Sequence, residues 1–150
     1  MLLKEKEEIK AWLNKNQIKG YILIKNEEYG YVVNVNGNVV LYNKNLKNIE
    51  VKFNEINGWF NCTVNKLNSL EGCPEIVHGN FNCNDNKLKT LEFCPKIVNG
   101  DFDCSNNKLI NLKGSPKTIY GSFDCSKNKI ISLNDCDSDI EGDFCVLKII

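Results

Sequence analysis

Cysteine is the residue whose number first suggests chemistry in this chain of 150 residues. The chain holds eight cysteines, and none of them forms the Cys-x-x-Cys pair that zinc sites usually show. Such cysteines can instead recur at one place of a stacked repeat, where the thiol serves as a small apolar core residue. We expect inert buried thiols, with disulfides between neighbouring coils as the alternative. The regularly spaced cysteines, 21 residues apart, are Cys62, Cys83, Cys104 and Cys125.

A cysteine–histidine nucleophilic pair would have to use His78, which is the only histidine of the chain. The nearby Cys62 and Cys83 are expected to point into a core, where burial disfavours the reactive thiolate. The places equivalent to His78 in the other repeats share no chemistry, so we expect a surface turn residue here. Those places hold Asn57, Asn99, Tyr120 and Glu141.

Paired carboxylates could run acid–base chemistry or hold a cation. The aspartates of the repeats are expected to lie exposed on a flat or gently concave sheet, where the sequence implies no deep pocket. A calcium site and an acidic docking surface are the alternatives to a solvated face. We therefore predict no catalytic residue, no metal site and no cofactor, and we expect that the protein is not an enzyme. The aspartates are Asp101, Asp103, Asp124 and Asp143.

The charge balance argues against direct binding to nucleic acid. The chain has 19 basic residues, all of them lysine, and 19 acidic residues. Arginine, the usual bidentate reader of phosphate and guanine, is absent. A column of lysines could form a phosphate-binding ridge, but the zero net charge and the nearby acids oppose this interpretation. The column consists of Lys66, Lys87, Lys108 and Lys129.

The sequence shows no segment that predicts export or membrane insertion. No stretch approaches the run of about 20 apolar residues that a membrane-spanning helix needs. The first residues, Met1 to Lys6, lack the apolar centre of a signal peptide. We therefore expect no membrane association and a cytoplasmic location in the producing or host bacterial cell, where the cysteines would stay reduced.

A repeat of 21 residues organises most of the chain. One coil of such a chain cannot bury its own apolar side, so we expect the coils to stack about 4.8 Å apart around a continuous core. The glycine column consists of Gly37, Gly58, Gly79, Gly100, Gly121 and Gly142. The aromatic column consists of Phe60, Phe81, Phe102, Phe123 and Phe144, with Val39 at that place in the first copy.

The Phe-x-Cys stretch of each repeat predicts a short strand, because alternate residues of a strand point to opposite faces. Its Phe and Cys would point inward, which leaves a polar face with one large aromatic residue toward solvent. Repeat proteins commonly bind through such a face, so we predict a partner-binding surface. Alternatively, Trp59 packs against the N-terminal cap, near Trp12 or Tyr31. The predicted binding residues are Trp59, Asn61, Thr63, Asn80, Asn82, Asn84, Asp101, Asp103, Ser105, Ser122, Asp124, Ser126 and Asp143.

The pattern Phe-x-Cys-x-x-Asn-x-Leu resembles the leucine-rich repeat, with Phe and Cys at two of the usual leucine positions. The resemblance implies a mostly parallel β solenoid in which an asparagine ladder satisfies backbone groups after each strand. A period of 21 residues is short for the family, which implies a convex side of extended or 3₁₀ segments. A three-sided parallel β-helix is the alternative fold. The ladder residues are Asn65, Asn86, Asn107 and Asn128.

A narrower resemblance is to leucine-rich-repeat proteins encoded by phages and prophages, which pair a short N-terminal helix with such repeats. It covers roughly residues 8–145 and rests on three segments. It implies the fold and an origin in a mobile element, and it carries over no activity. The segments are 33–39 (VNVNGNV), 43–46 (NKNL) and 70–74 (LEGCP).

The two ends of the chain have different predicted roles. Residues 1–36 are predicted to form an N-terminal cap, and residues 37–150 to form the solenoid, together one structural domain. The helical spacing of Ile9, Trp12 and Leu13 predicts an amphipathic helix of about four turns that stops at Gly20. The cap strands are predicted at 21–24 and 31–33. The last apolar strand is predicted to run through Phe144, Val146, Ile149 and Ile150, with an uncovered edge.

The function predicted from these features is binding to another protein. A rigid polar face would cover a site on a host or partner protein and block it sterically. Small size and the resemblance above suggest an inhibitor of a bacterial defence system, such as an anti-CRISPR protein. The alternative is a structural or self-assembling solenoid without an inhibitory role, which would form homo-oligomers through the C-terminal strand.

Overall fold

The fold begins with one helix and a hairpin of two six-residue strands and continues as strands of two to four residues in a computed structural model that describes residues 1–145. Helix α1 spans Lys6–Lys15. The strands are β1 Tyr21–Asn26, β2 Gly30–Val35, β3 Val39–Val40, β4 Phe53–Ile56, β5 Phe60–Asn61, β6 Ile76–Val77, β7 Phe81–Asn82, β8 Ile97–Val98, β9 Phe102–Asp103, β10 Thr118–Ile119, β11 Phe123–Asp124, β12 Asp139–Ile140 and β13 Phe144–Cys145.

The strands form two sheets, and each coil of the chain contributes one strand to each sheet. The cap sheet has the order β1-β2-β4-β6-β8-β10-β12, and the face sheet has the order β13-β11-β9-β7-β5-β3. All strand pairs are parallel except the β1–β2 hairpin. In the face sheet, Phe60 pairs with Phe81, and Phe81 pairs with Phe102. The register equals the sequence period, so the predicted parallel β solenoid is confirmed.

The core between the two sheets is a row of aromatic rings beside a row of thiols. Phe60, Phe81 and Phe102 are fully buried, and neighbouring rings in this row lie 5.4 Å and 5.6 Å apart in a stacked arrangement. The four regularly spaced cysteines are buried next to them, as predicted. Aromatic stacking at this distance adds to the burial of apolar area, so the aromatic column fixes the distance and register of neighbouring coils.

An asparagine ladder closes the turn that follows each strand of the face sheet. The Nδ2 group of Asn86 donates to the carbonyls of Cys62 at 3.0 Å and Cys83 at 3.2 Å. Its Oδ1 atom accepts the N–H of Leu67 at 2.9 Å. One side chain thus satisfies backbone groups of two coils in the interior, where unpaired groups are costly. Asn65, Asn107 and Asn128 repeat this arrangement, which confirms the predicted ladder.

From Gly58 onward, the backbones of successive coils approach too closely at the glycine column for a side chain to fit between them. A Cβ atom on Gly121 would lie 2.6 Å from the carbonyl carbon of Gly100, and one on Gly79 would lie 3.0 Å from that of Gly58. No side chain fits at such a distance without moving the backbone. Close packing of the coils therefore requires glycine at this position, in addition to any role of glycine in the turn.

The N-terminal helix is shorter than the sequence predicted and ends for a different reason. It covers ten residues, and Gln17 follows it in the left-handed region with φ of 61°. The N–H of Gln17 donates to the carbonyl of Asn14, and the N–H of Ile18 donates to that of Leu13. These two bonds form a Schellman motif, which ends the helix at Lys15. The prediction that the helix continues to a stop at Gly20 was therefore wrong.

The helix and the β1–β2 hairpin cover the first coil at the end of the cap sheet. Ile9 and Leu13 are fully buried, and the Trp12 ring meets the Phe53 ring edge-on at 6.3 Å. Strand β2 pairs with β4, so the hairpin lengthens the cap sheet by two strands. Both predicted cap strands are confirmed. Within the described residues, no helix has the length and apolar character needed to cross a bilayer.

The last coil of the described residues is less well covered than the others. Phe144 is 40% exposed, whereas its partner Phe123 in the aromatic column is fully buried. The remaining residues of the predicted C-terminal strand, Val146, Ile149 and Ile150, lie outside the described residues.

A column of left-handed residues follows the face sheet, and one member does not suit it. Five residues in equivalent positions have φ between 51° and 55°: Asn43, Val64, Asp85, Asn106 and Lys127. Asparagine and aspartate visit this region readily, but a β-branched side chain is a genuine outlier there. Val64 is also 40% exposed, so little packing offsets its strain.

We therefore expect Val64→Asn to stabilise the fold by about 1 kcal/mol, because it relieves a left-handed valine. The melting temperature should rise by roughly 3 °C, measured by calorimetry or circular dichroism. The matched control Asn43→Val places a valine at the equivalent, exposed position of another coil, where φ is 51°, and should lower it. A melting temperature that falls for Val64→Asn would contradict this interpretation.

Candidate protein-binding face

The outer face of the face sheet displays three rows of side chains, one residue per coil in each row. The leading row precedes the aromatic column and contains Asn38, Trp59, Asn80, Asp101, Ser122 and Asp143. The central row follows it and contains Val40, Asn61, Asn82, Asp103 and Asp124. The trailing row lies two residues later and contains Tyr42, Thr63, Asn84, Ser105 and Ser126. The structure thus aligns the predicted binding residues in rows along the face sheet, and most of them reach solvent.

The leading row connects each coil to the next one. The Oδ1 atom of Asn80 accepts the N–H of Asp101 at 2.9 Å, and Oδ1 of Asp101 accepts the N–H of Ser122 at 2.8 Å. Asn38 accepts from Trp59 in the same way at 3.0 Å. These polar side chains therefore stabilise the stack, in addition to being displayed.

The central row folds back onto the backbone of the trailing row. The Oδ1 atom of Asp103 accepts the N–H of Ser105 at 2.9 Å, and Asp124 accepts that of Ser126 at 2.8 Å. Asn61 accepts both the N–H and the hydroxyl of Thr63, at 3.0 Å and 2.8 Å. Local bonds of this kind, from an oxygen to the N–H two residues on, are typical of Asx turns.

Two of the predicted binding residues are not displayed. Thr63 is 7% exposed and Ser126 is 5% exposed, so their assignment to the open face was wrong. The strands of the face sheet are only two residues long, so the trailing row lies beyond the strand ends, where alternation no longer sets the direction of a side chain. Asn38, Asn80, Asp101 and Asp143 are exposed. The remaining predicted residues other than Trp59, Thr63 and Ser126 are half-buried.

The N-terminal end of this face is apolar. Val40, Tyr42 and Trp59 are 47%, 53% and 49% exposed. Trp59 was predicted either to lie on the open face or to pack against the N-terminal cap. In the structure it lies in solvent, while the cap residue Trp12 packs on Phe53. Val40 and Tyr42 were missed, although the 21-residue alignment puts them in the rows of Asn61 and Thr63.

The C-terminal half of the face is acidic, and it includes the half-buried carboxylate of Asp103. Partial burial raises the pKa of Asp103, and the hydrogen bonds from Ser105 lower it only in part. The nearby carboxylates of Asp124 and Asp85 raise this pKa further, because each opposes a second negative charge. The face therefore combines an apolar end with an acidic end on one rigid sheet.

The remaining reactive side chains do not form a second site. All eight cysteines are free thiols, and burial raises the pKa of the Cys125 thiol to about 12. His78 is exposed, and its Nε2 atom lies 2.7 Å from Oε1 of Glu55 on the cap-sheet side. Within residues 1–145, no three His, Cys, Asp or Glu side chains come together as metal ligands would. The lysine column is exposed.

The fold and the face define a repeat solenoid of stacked turns of about 21 residues. Comparison with protein-family models, with curated proteins and with solved structures found no match. The resemblance to phage-encoded leucine-rich-repeat proteins therefore stays a prediction.

The raised pKa of Asp103 predicts that Asp103→Asn stabilises the protein at neutral pH. An asparagine can still accept the N–H of Ser105, as Asn61 does for Thr63, and it removes a partly buried charge. Because the folded-state pKa is raised, the wild-type carboxylate opposes folding above that pKa. The gain should therefore be largest at neutral pH and should shrink as pH falls through the pKa of Asp103.

The free energy of unfolding, measured in urea across a pH series, checks this prediction. The control Asp137→Asn changes an exposed acid outside the face and should have little effect at any pH. A gain from Asp103→Asn that is independent of pH would show that relief of its charge is not the cause.

Proposed function

We propose that this protein is a binding module that covers a site on a partner protein and blocks it sterically, without catalysis. One observation carries the proposal: Val40, Tyr42 and Trp59 are exposed together at the end of an otherwise polar face. Tyrosine and tryptophan are enriched among the residues that dominate binding energy at protein interfaces. A grouped apolar patch with a polar rim is what such interfaces commonly present.

The rigidity of the face supports the same proposal. The hydrogen bonds of the leading and central rows hold the polar side chains in place before any partner arrives. Binding by such a surface loses less conformational entropy than binding by mobile side chains. Beside Trp59, a shallow hollow of about 260 Å³ is lined by Asn61, Asn80 and Asn82. This hollow could accept one side chain of the partner next to the aromatic anchor.

The acidic end of the face adds charge to the proposed recognition. Asp101, Asp103 and Asp124 lie on coils beyond Trp59, so a partner that covers the whole face would meet them with basic or neutral groups. The chain as a whole has no net charge, so this attraction would act locally.

The specific form that we propose is an inhibitor from a phage or prophage that covers a site on a bacterial defence protein, as an anti-CRISPR protein does. Its supports are the resemblance of the repeats to phage-encoded proteins and the small size of the chain. A cytoplasmic site of action belongs to the same proposal.

Replacing Trp59 tests the binding face without weakening the fold. Asparagine at this position matches Asn38 and Asn80 in the leading row, and it could accept the next N–H as they do. We expect Trp59→Asn to weaken capture of the partner by about 30-fold, since a tryptophan that becomes buried in an interface commonly contributes about 2 kcal/mol or more. The measurement is affinity capture from the native host, followed by titration against the captured protein.

The matched control is Tyr120→Asn, which removes an equally exposed aromatic residue from the cap-sheet side. It should leave the affinity unchanged. Equal affinities of wild type and Trp59→Asn for every captured protein would remove the face from the proposal.

Self-assembly through the C-terminal strand is the second candidate function. The observation that favours it is Phe144, which is exposed although every other phenylalanine of its column is buried. Under this hypothesis the mass in solution, measured by light scattering, rises with protein concentration, and Phe144→Asn abolishes the rise. A monomer mass at all concentrations would exclude it.

A further inference from the structure

The two sheets differ at their N-terminal ends. The cap sheet continues beyond the first solenoid coil because the β1–β2 hairpin adds to it. The face sheet stops at β3, and no strand lies beyond β3 in the part of the chain that the structure describes. Strand β3 is therefore an edge strand, and such an edge can accept a further strand.

The hydrogen bonds of the first coil show which backbone groups point toward this edge. The N–H groups of Val39 and Leu41 donate to the carbonyls of Trp59 and Asn61, at 2.9 Å and 2.7 Å. Backbone groups of a strand alternate in direction, so the N–H and the C=O of Val40 point to the opposite side, away from β5. The edge thus presents one backbone donor and one backbone acceptor to an added strand.

A groove runs along this edge. One wall is the turn that ends helix α1, at residues 16–18. The other wall consists of alternate residues of the first coil, namely Asn38, Val40, Tyr42 and Lys44. The groove has a volume of about 260 Å³ and lies beside the two-residue strand β3, before the chain turns at Asn43. A short extended segment that pairs with these two residues is therefore what the edge can accept.

The side chains along the groove define the chemistry of an occupant. Its centre is apolar, because Val40 and Tyr42 stand there, and the wall opposite contains the buried Ile18. Its one charged lining residue is Lys44, which forms no ion pair within the described residues. A complementary segment carries apolar side chains at alternate positions and a carboxylate at the end that lies beside Lys44.

We propose that the β3 edge binds an extended segment of a partner protein as an additional strand of the face sheet. The inference rests on the proposed function and names how the partner docks. Recognition by added strands uses main-chain hydrogen bonds for affinity and alternate side chains for specificity. Val40 and Tyr42 line the groove and would contact the added strand, whereas Trp59, on the next coil, would contact the body of the partner.

The experiment selects a displayed library of random linear peptides on the full chain. We expect bound peptides with alternating apolar residues and one acidic end. Synthetic copies should bind wild type, and copies that are N-methylated on the edge-facing amides should bind about tenfold more weakly, because a main-chain hydrogen bond is lost. This arm leaves the protein unchanged, so it does not depend on the folding of a variant.

Variants of the protein give the second arm. Val40→Pro removes the edge-facing N–H while the ladder bonds of Val39 and Leu41 remain, and it should weaken peptide binding by about tenfold. Val40→Thr keeps the N–H and the strand preference, and it should bind nearly as well as wild type. Lys44→Glu should reverse the preference from an acidic to a basic end of the peptide.

Three results would overturn the proposal. They are selected peptides that tolerate N-methylation, peptides that bind Val40→Pro as tightly as Val40→Thr, and a library that yields no peptide specific for the wild-type edge. A partner that is lost with Trp59→Asn but kept with Val40→Pro would leave the proposed function standing and exclude the added strand. Self-association of the chain that is blocked by Val40→Pro would identify a second copy, rather than a partner, as the occupant.

Discussion

The interior of this solenoid depends on the hydrogen bonds of its asparagine ladder. After each strand of the face sheet the chain turns while still buried, and the turn leaves carbonyls of two coils pointing at the same place. One asparagine side chain satisfies them and accepts an N–H of the preceding coil, as Asn86 does between Cys62 and Leu67. Because an unpaired buried backbone group costs about 1–3 kcal/mol, the coils are stable only when they stack in register.

The same register determines what the protein can display. Once the coils are aligned, equivalent residues form rows, and most polar side chains of the face bond to the backbone of their own or the next coil. The face is therefore rigid, and most of its polar side chains already have hydrogen-bond partners within the protein. The residues that depart from this pattern lie in the first two solenoid coils, where Val40, Tyr42 and Trp59 replace the small polar residues of the later coils. The aromatic end thus has no structural task comparable to that of the asparagines and aspartates.

The period of the sequence was sufficient to predict the solenoid and the inward phenylalanines and cysteines, because each column of the repeat supports the others. The ladder was predicted from the resemblance to leucine-rich repeats, and the cap hairpin from two apolar runs around a turn. The errors concern places where a local interaction replaces the pattern. The helix ends before a left-handed Gln17, where two Schellman hydrogen bonds close its last turn. Glutamine is not a residue type that predicts such an end. Thr63 and Ser126 are buried because the strand has already ended, and a period-two pattern does not show where a strand stops. The free edge of β3 was not predicted, because the sequence does not show which of the two sheets the N-terminal hairpin extends.

Amide hydrogen exchange tests the stacked ladder most directly. The amides of Leu67, Leu88 and Leu109 donate to ladder asparagines and are buried, so they should exchange only through global unfolding, at a rate shared by the amides of Phe81 and Phe102. The edge-facing amide of Val40 should exchange far faster in the free protein. Ladder amides that exchange as fast as that of Val40, or coil by coil with unrelated rates, would contradict a single register-locked stack.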